Sequence, residues 1–335
     1  MKTLMFDAPY NFYEITMILK NGGLIAIPTE TVYGLAGNGF NEVAVSNIFK
    51  AKGRPSDNPL ILHISSLDML DDIVLSISDE AQKLMDAFWP GPLTLIFPAT
   101  EKVPKIITAG LPTVAVRFPS HPIMRKIIEN CKFPLAAPSA NSSGKPSPTL
   151  AKRVMEDLSG KIDGVIDGGK CDIGIESTVV DVATLTILRP GFVTESMLQQ
   201  IVPAIKNTSI FHQEKPISPG MKYTHYSPNA QVQIVQGKNY IETIKNLIEQ
   251  DLSKNKYVGV LATDETLHNF ANVTTLSVGS QNNLGEIASS FFEILRKFDD
   301  LGVEKIYSLS FSQEGIGEAI MNRLEKSAGY NIINC

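Results

Sequence analysis

Proline divides this chain more sharply than any other residue type. All 20 prolines of the 335 residues lie at or before Pro228, and the last 107 residues contain none. Proline removes a backbone donor and interrupts helices and central strands, so a long stretch without it can run as unbroken regular elements. The carboxy-terminal part reads that way. VQIV (232–235), YVGVLAT (257–263), VTTLSV (273–278) and KIYSLSF (305–311) have strand character. Helical patterns alternate with them at 240–252, 264–270, 284–302 and 317–329, the last with Gly329 as its cap. Strands alternating with helices predict a small, doubly wound α/β domain with a parallel sheet.

The proline-bearing part is less regular. Strands are expected at 24–28, 60–64, 93–97, 113–118, 164–167, 177–182 and 184–188, and helices at 12–20, 41–51, 79–88, 121–130 and 149–158. Several are joined by Gly/Pro/Ser-rich stretches too long for tight turns, and such loops on a rigid sheet are where sites collect. Residues 203–230 carry four prolines with little periodicity and read as an extended segment. At about 150 residues per domain the length suits two domains. The division expected is 1–203, a Pro-rich linker over 204–230, and 231–335.

Composition narrows the class. No segment approaches the roughly 18 apolar residues of a membrane helix. Asp7 and Glu14 stand where a signal peptide would be apolar. Cys131, Cys171 and Cys335 are scattered and odd in number, which excludes a disulfide framework and points to a reducing cytoplasm. The net charge is −5 overall and −3 over the first 205 residues, which disfavours a protein that coats nucleic acid.

Three loops could carry chemistry. PTETVYGLAGN (28–38) follows an apolar strand and sets Thr29, Glu30 and Thr31 at its carboxyl end, where open α/β sheets bind ligands. The alternative is that Thr29 caps a short helix and Tyr33 is core. KAKGRPSDNPLILHI (50–64) ends a helix with Lys50, Lys52 and Arg54, then holds Asn58 in a proline-stiffened turn before His63. Basic residues answer the helix dipole, and they also suit a polyanion. His63 is either a satisfied core residue or a ligand contact. PLAAPSANSSGKPSPT (134–149) supplies Ser139, Asn141, Ser142, Ser143 and Ser147 with backbone N–H groups around Gly144, a shaped polar loop without Walker A spacing. Arg117 lies in an otherwise apolar strand, Ser177 opens another and Arg189 ends a third. A strand arginine is commonly a solvated edge residue, and the alternative for Arg117 is a cleft.

There is no H-E-x-x-H, G-x-S-x-G, C-x-x-C or strand-borne G-x-G-x-x-G, and five scattered histidines give no zinc pattern. The inventory of hydroxyls, amides and cations positions and neutralises an anion, as phosphoryl and adenylyl transfer require.

The motifs PTETVYGL, KGRPSDNPL, PGPLTLIF, VAVRFP, APSANSSGKPSPT, GIESTVVD and LRPG, in this order, resemble those of the YrdC-like threonylcarbamoyl-AMP synthases across about residues 10–200. SPGMKYTHYSP and the α/β domain after it are similar to the longer, two-domain branch. The resemblance implies a twisted mixed sheet with helices around a concave cleft, plus a smaller Rossmann-like parallel domain. It implies that L-threonine, bicarbonate and ATP give threonylcarbamoyl-AMP and pyrophosphate, with Mg²⁺ bridging phosphates. A partner transferase complex then modifies the adenosine next to the anticodon of tRNA, so tRNA is an indirect partner.

Carried over residue by residue, Lys52, Arg54, Ser139 and Asn141 match the family's catalytic set and contact ATP. Asn58, Thr113, Ser147 and Arg189 match further ATP contacts, and Tyr226 a linker tyrosine that folds over the site. Thr31, His63, Arg117, the Ala137 backbone and Ser177 match the threonine pocket, where Arg117 can fork onto the α-carboxylate. No metal ligand comes from a side chain in this set. Two rival readings are an RNA-binding module using the same concave face and a carbamoyl-adenylate enzyme of hydrogenase maturation. The acidic charge weighs against the first; the absence of zinc-finger cysteines weighs against the second.

Overall fold

The computed structural model describes residues 2–207 and 226–335. Its amino-terminal elements are β1 (Leu4–Phe6), α1 (Phe12–Lys20), β2 (Ile25–Ile27), β3 (Gly34–Asn38), α2 (Glu42–Lys52) and β4 (Ile61–His63). There follow α3 (Asp79–Phe88), β5 (Leu93–Pro98), α4 (Lys105–Thr108), β6 (Thr113–Arg117), α5 (Pro122–Cys131) and β7 (Leu135–Ala136). The series continues with α6 (Ala151–Leu158), β8 (Gly164–Ile166), β9 (Thr178–Asp181), β10 (Thr186–Arg189), α7 (Glu195–Ile201) and β11 (Lys206–Asn207). These strands form one mixed, 11-stranded sheet in the order β1-β8-β2-β3-β7-β4-β6-β5-β9-β10-β11.

The main surprise is β3. GLAGN reads as a loop, yet it is a buried strand between β2 and β7. Its glycines are there because neighbours press in: a Cβ on Gly37 would meet Leu24 at 3.0 Å and Ile48 at 3.3 Å, and one on Gly34 would meet Ala137 at 3.2 Å. The strand expected at 184–188 lies at 186–189 because Leu185 takes φ 52 and turns the hairpin from β9. The helix that carries the basic residues is defined at both ends. The Asn41 side chain accepts from the N–H groups of Val43 and Ala44, and Gly53 closes the other end in the left-handed region at φ 62.

The carboxy-terminal elements are β12 (Gln231–Gln236), α8 (Tyr240–Leu252), β13 (Val258–Ala262), β14 (Thr274–Ser277), α9 (Leu284–Asp300), β15 (Lys305–Leu309), α10 (Ile316–Ser327) and β16 (Ile332–Asn334). The five strands are all parallel, in the order β14-β13-β15-β12-β16. Four were expected; β16 is short, half exposed and terminal, so it has no apolar run to announce it. The helix expected at 264–270 is only a 3₁₀ turn at Leu267–Phe270. Val235, Ile244, Ile248, Val260, Phe270 and Tyr307 form this sheet's core. Inside it the Tyr307 hydroxyl donates to Asp251 at 2.7 Å, which satisfies both buried groups.

The residues divide into two compact units. One takes the chain up to Ser143 and again from Ser147; the other takes Gly144–Pro146 and the carboxy-terminal chain through Cys335. Most of the linker expected at 204–230 lies outside the described residues, and its first residues still belong to the large sheet as β11.

Candidate active site

Two parallel neighbours, β4 and β6, set out much of the candidate site. Their register pairs Ile61 with Ala115 and His63 with Arg117. His63 and Arg117 therefore stand side by side at the carboxyl end. Thr113 opens β6 at its other end. Four residues, about 13 Å of strand, separate the two ends.

Arg117 is 4% exposed in a central strand, so it is neither solvated nor at an edge. It donates through Nη2 to Glu30 Oε1 at 2.6 Å, through Nη1 to Thr31 Oγ1 at 3.0 Å, and through Nε to the Gly91 carbonyl at 3.3 Å. Burial alone would raise the Glu30 carboxyl, but the Arg117 charge and hydrogen bond outweigh it and hold the acid below the usual carboxylate range. Sequence reasoning marked Glu30 only as a neighbour of two hydroxyls. A lone arginine in an apolar strand needs a buried acid as its partner, and that is the signal that would have paired them.

Thr29 caps no helix. Its hydroxyl accepts from the N–H groups of Thr31 and Val32 and donates to the Val32 carbonyl, closing a turn that aims Glu30 and Thr31 before β3 begins. Its contact with Thr31 Oγ1 is 2.8 Å. Tyr33 is core, and its hydroxyl donates to the Gly169 carbonyl at 2.8 Å. His63 is not a satisfied core residue: Nδ1 is buried without a hydrogen-bond partner. Burial, and then the Arg117 charge, lower its pKa to about 3, so the ring is neutral near pH 7.

The basic loop meets the serine-rich loop. Lys52, 4% exposed, donates through Nζ to the carbonyls of Ser139 and Asn141, the latter at 2.7 Å. Ser139 Oγ donates to Asn141 Oδ1 at 2.6 Å. The structure therefore brings Lys52, Ser139 and Asn141 into one cluster. Arg54 lies over the Phe49 ring at 5.9 Å and reaches the Asn58 carbonyl at 3.4 Å. Asn58 is fully buried, and neither polar atom of its amide has a partner. A buried amide left unsatisfied costs about 1–3 kcal/mol, so this position is built for a ligand that supplies both a donor and an acceptor. The backbone of Ala137 donates to the Ile61 carbonyl at 3.2 Å, which ties the serine-rich loop to β4.

On the far side of β5, Ser177 Oγ contacts Thr94 Oγ1 at 2.7 Å. Arg189 donates through Nε to the Ser177 carbonyl and through Nη2 to its hydroxyl, both at 3.1 Å. The residue assigned to the nucleotide thus grips one assigned to threonine. Ser147 Oγ donates to Glu176 Oε1 at 2.5 Å. Thr94 and Gly91 are further participants that the sequence did not single out. Tyr226 belongs to the carboxy-terminal unit, at φ 68, stacked on Phe292 with ring centroids 5.2 Å apart.

Among the described residues no three His, Cys, Asp or Glu side chains cluster as a metal site, and no helix is long and apolar enough to cross a membrane. The site as built offers cations, hydroxyls and amides to an anion, and a buried Glu–Arg–His group beside it.

Comparison with known proteins places the chain in a family. Residues 17–191 match the family model described as Telomere recombination (Sua5/YciO/YrdC), and residues 193–329 match the one described as Threonylcarbamoyl-AMP synthase, C-terminal domain. The threonylcarbamoyl-AMP synthase of Bacillus subtilis is 44% identical over 325 residues, covering 96% of this chain and 93% of its own length. That of Pyrococcus abyssi is 44% identical over 327 residues, covering 94% and 93%. The crystal structure of P. abyssi Sua5 complexed with L-threonine superposes with a TM-score of 0.93 at 41% identity, covering all of both chains. With both of its parts matched in order and nearly end to end, the chain belongs to the Sua5/YciO/YrdC family, in the form that carries the additional carboxy-terminal domain.

Proposed function

We propose that this protein is a threonylcarbamoyl-AMP synthase, a transferase of tRNA modification that adenylates a carbamate of L-threonine. The observation that carries this reading is likeness at 40–44% identity, over nearly the whole chain, to proteins of that name. Bicarbonate supplies the carbon: the threonine amine takes it up as a carbamate with loss of water, and a carbamate oxygen attacks the α-phosphorus of ATP and expels pyrophosphate. Lys52 and Arg54 then offset negative charge at the phosphates, while Ser139, Asn141, Asn58, Ser147, Thr113 and Arg189 orient the nucleotide. Thr31, His63, Arg117, Ser177 and the Ala137 backbone form the threonine side. Mg²⁺ enters with the nucleotide substrate, on its phosphates; the donor set of the chain suits an anion rather than a resident metal ion. The product passes to a transferase complex that acts on tRNA. A cytoplasmic setting is supported by three free cysteines.

The test is pyrophosphate release from ATP–Mg²⁺ with threonine and bicarbonate. Release that requires both co-substrates is expected. Release independent of threonine, or none at all, would overturn the reading.

A further inference from the structure

The buried pair Glu30–Arg117 is only half used by the protein itself. Glu30 Oε1 takes Arg117 at 2.6 Å, whereas Oε2 is buried with no hydrogen-bond partner. The N–H groups of Ser120 and of Glu30 itself lie near enough to help keep the carboxyl ionised, without closing a hydrogen bond to Oε2. A buried carboxylate oxygen without a donor is costly, and more so in a charged group than in a neutral one. Beside it, His63 Nδ1 is a second buried atom without a partner. Arg117, for its part, spends three of its five N–H groups on Glu30, Thr31 and Gly91.

We propose that Glu30 is the amine-recognising residue: its Oε2 accepts an N–H from the α-amino group of L-threonine while Arg117 turns its remaining donors to the α-carboxylate. This rests on the synthase reading above. An α-amino acid carries its cation and anion on one carbon, and a carboxylate in contact with a guanidinium presents the complementary charges at matching separation. Neutral His63 adds an uncharged acceptor or donor beside them and brings no competing positive charge. The amine is also the atom that must be carboxylated. A hydroxy acid satisfies Arg117 alone and cannot form the carbamate, so recognition at Glu30 rejects it where the carboxylate contact cannot.

The test compares binding of L-threonine and (R)-3-hydroxybutyrate, the same skeleton without its amine, to the full-length protein by calorimetry. The wild type is expected to prefer threonine by about tenfold or more, the value of one charge-assisted hydrogen bond. Glu30→Gln should cut that ratio about tenfold. If Glu30 only positions Arg117, both ligands weaken together and the ratio stays constant, which overturns the proposal. Where the Gln variant does not fold, Glu30→Asp keeps the charge but withdraws it by a methylene, and must lower the same ratio. A wild-type ratio near one also overturns the proposal. Wild-type protein that binds no threonine sinks the synthase reading itself.

Discussion

His63 is a buried imidazole whose neutrality has a measurable consequence. The unfolded chain protonates it near its ordinary value of 6.5, whereas the folded protein resists until about pH 3, through burial first and the Arg117 charge second. Across that window the unfolded state binds a proton that the folded state does not, so stability falls as pH drops from about 6.5 towards 3. Glu30 acts lower down: its contribution is complete above its ordinary value of 4.5 and is lost as pH falls through its depressed folded pKa. Denaturant midpoints at pH 7 and pH 5 should therefore fall less for His63→Gln than for the wild type. His121, also lowered by burial, keeps some acid sensitivity in the variant. Equal falls would mean that His63 is not held neutral. At this scale the candidate residues were legible as types in place, since Lys52, Ser139 and Asn141 do meet. The Glu30–Arg117 pair was not, because 87 residues separate partners that only the sheet brings together.

Among the elements that carry candidate site residues, the start of β9 is tightly constrained. Gly191 packs on it so closely that a Cβ there would lie 2.3 Å from the Thr178 nitrogen and 2.6 Å from the Ser177 carbonyl carbon. Both are backbone, so no side chain can swing aside. Gly191→Ala should cost about 1–3 kcal/mol in chemical denaturation, as overpacking does. It should also raise the threonine KM more than the ATP KM, because the displaced residue is Ser177. A variant with wild-type stability would show that the contact yields freely. The periodic elements were legible because apolar spacing reports them directly. β3 was hidden because Leu24, Ile48 and Ala137 crowd Gly37 and Gly34, and a strand with glycine at those positions has little apolar pattern to read.

The whole molecule has a charge of −5, yet it gathers Lys52, Arg54, Arg117 and Arg189 into positions where three are almost fully buried. The averaged charge says nothing of these local exceptions. The two-unit organisation was legible from proline alone, but its detail was not: Gly144–Pro146, inside the serine-rich loop, group with the carboxy-terminal unit. Asn58 gives the molecule one more property. Its buried amide is satisfied by neither donor nor acceptor in the protein, so the folded state holds a penalty that a ligand supplying both would lift. At a hundredfold excess over Kd, a ligand that binds only the native state adds about 2.7 kcal/mol, several degrees in melting temperature. Asn58→Leu should melt no lower than the wild type without nucleotide and gain less when ATP–Mg²⁺ is added; an undiminished gain would exclude Asn58 from the nucleotide site. In a cell, such a protein would outlast its ligand-free copies only where adenine nucleotide is plentiful, so its lifetime would itself register energy supply.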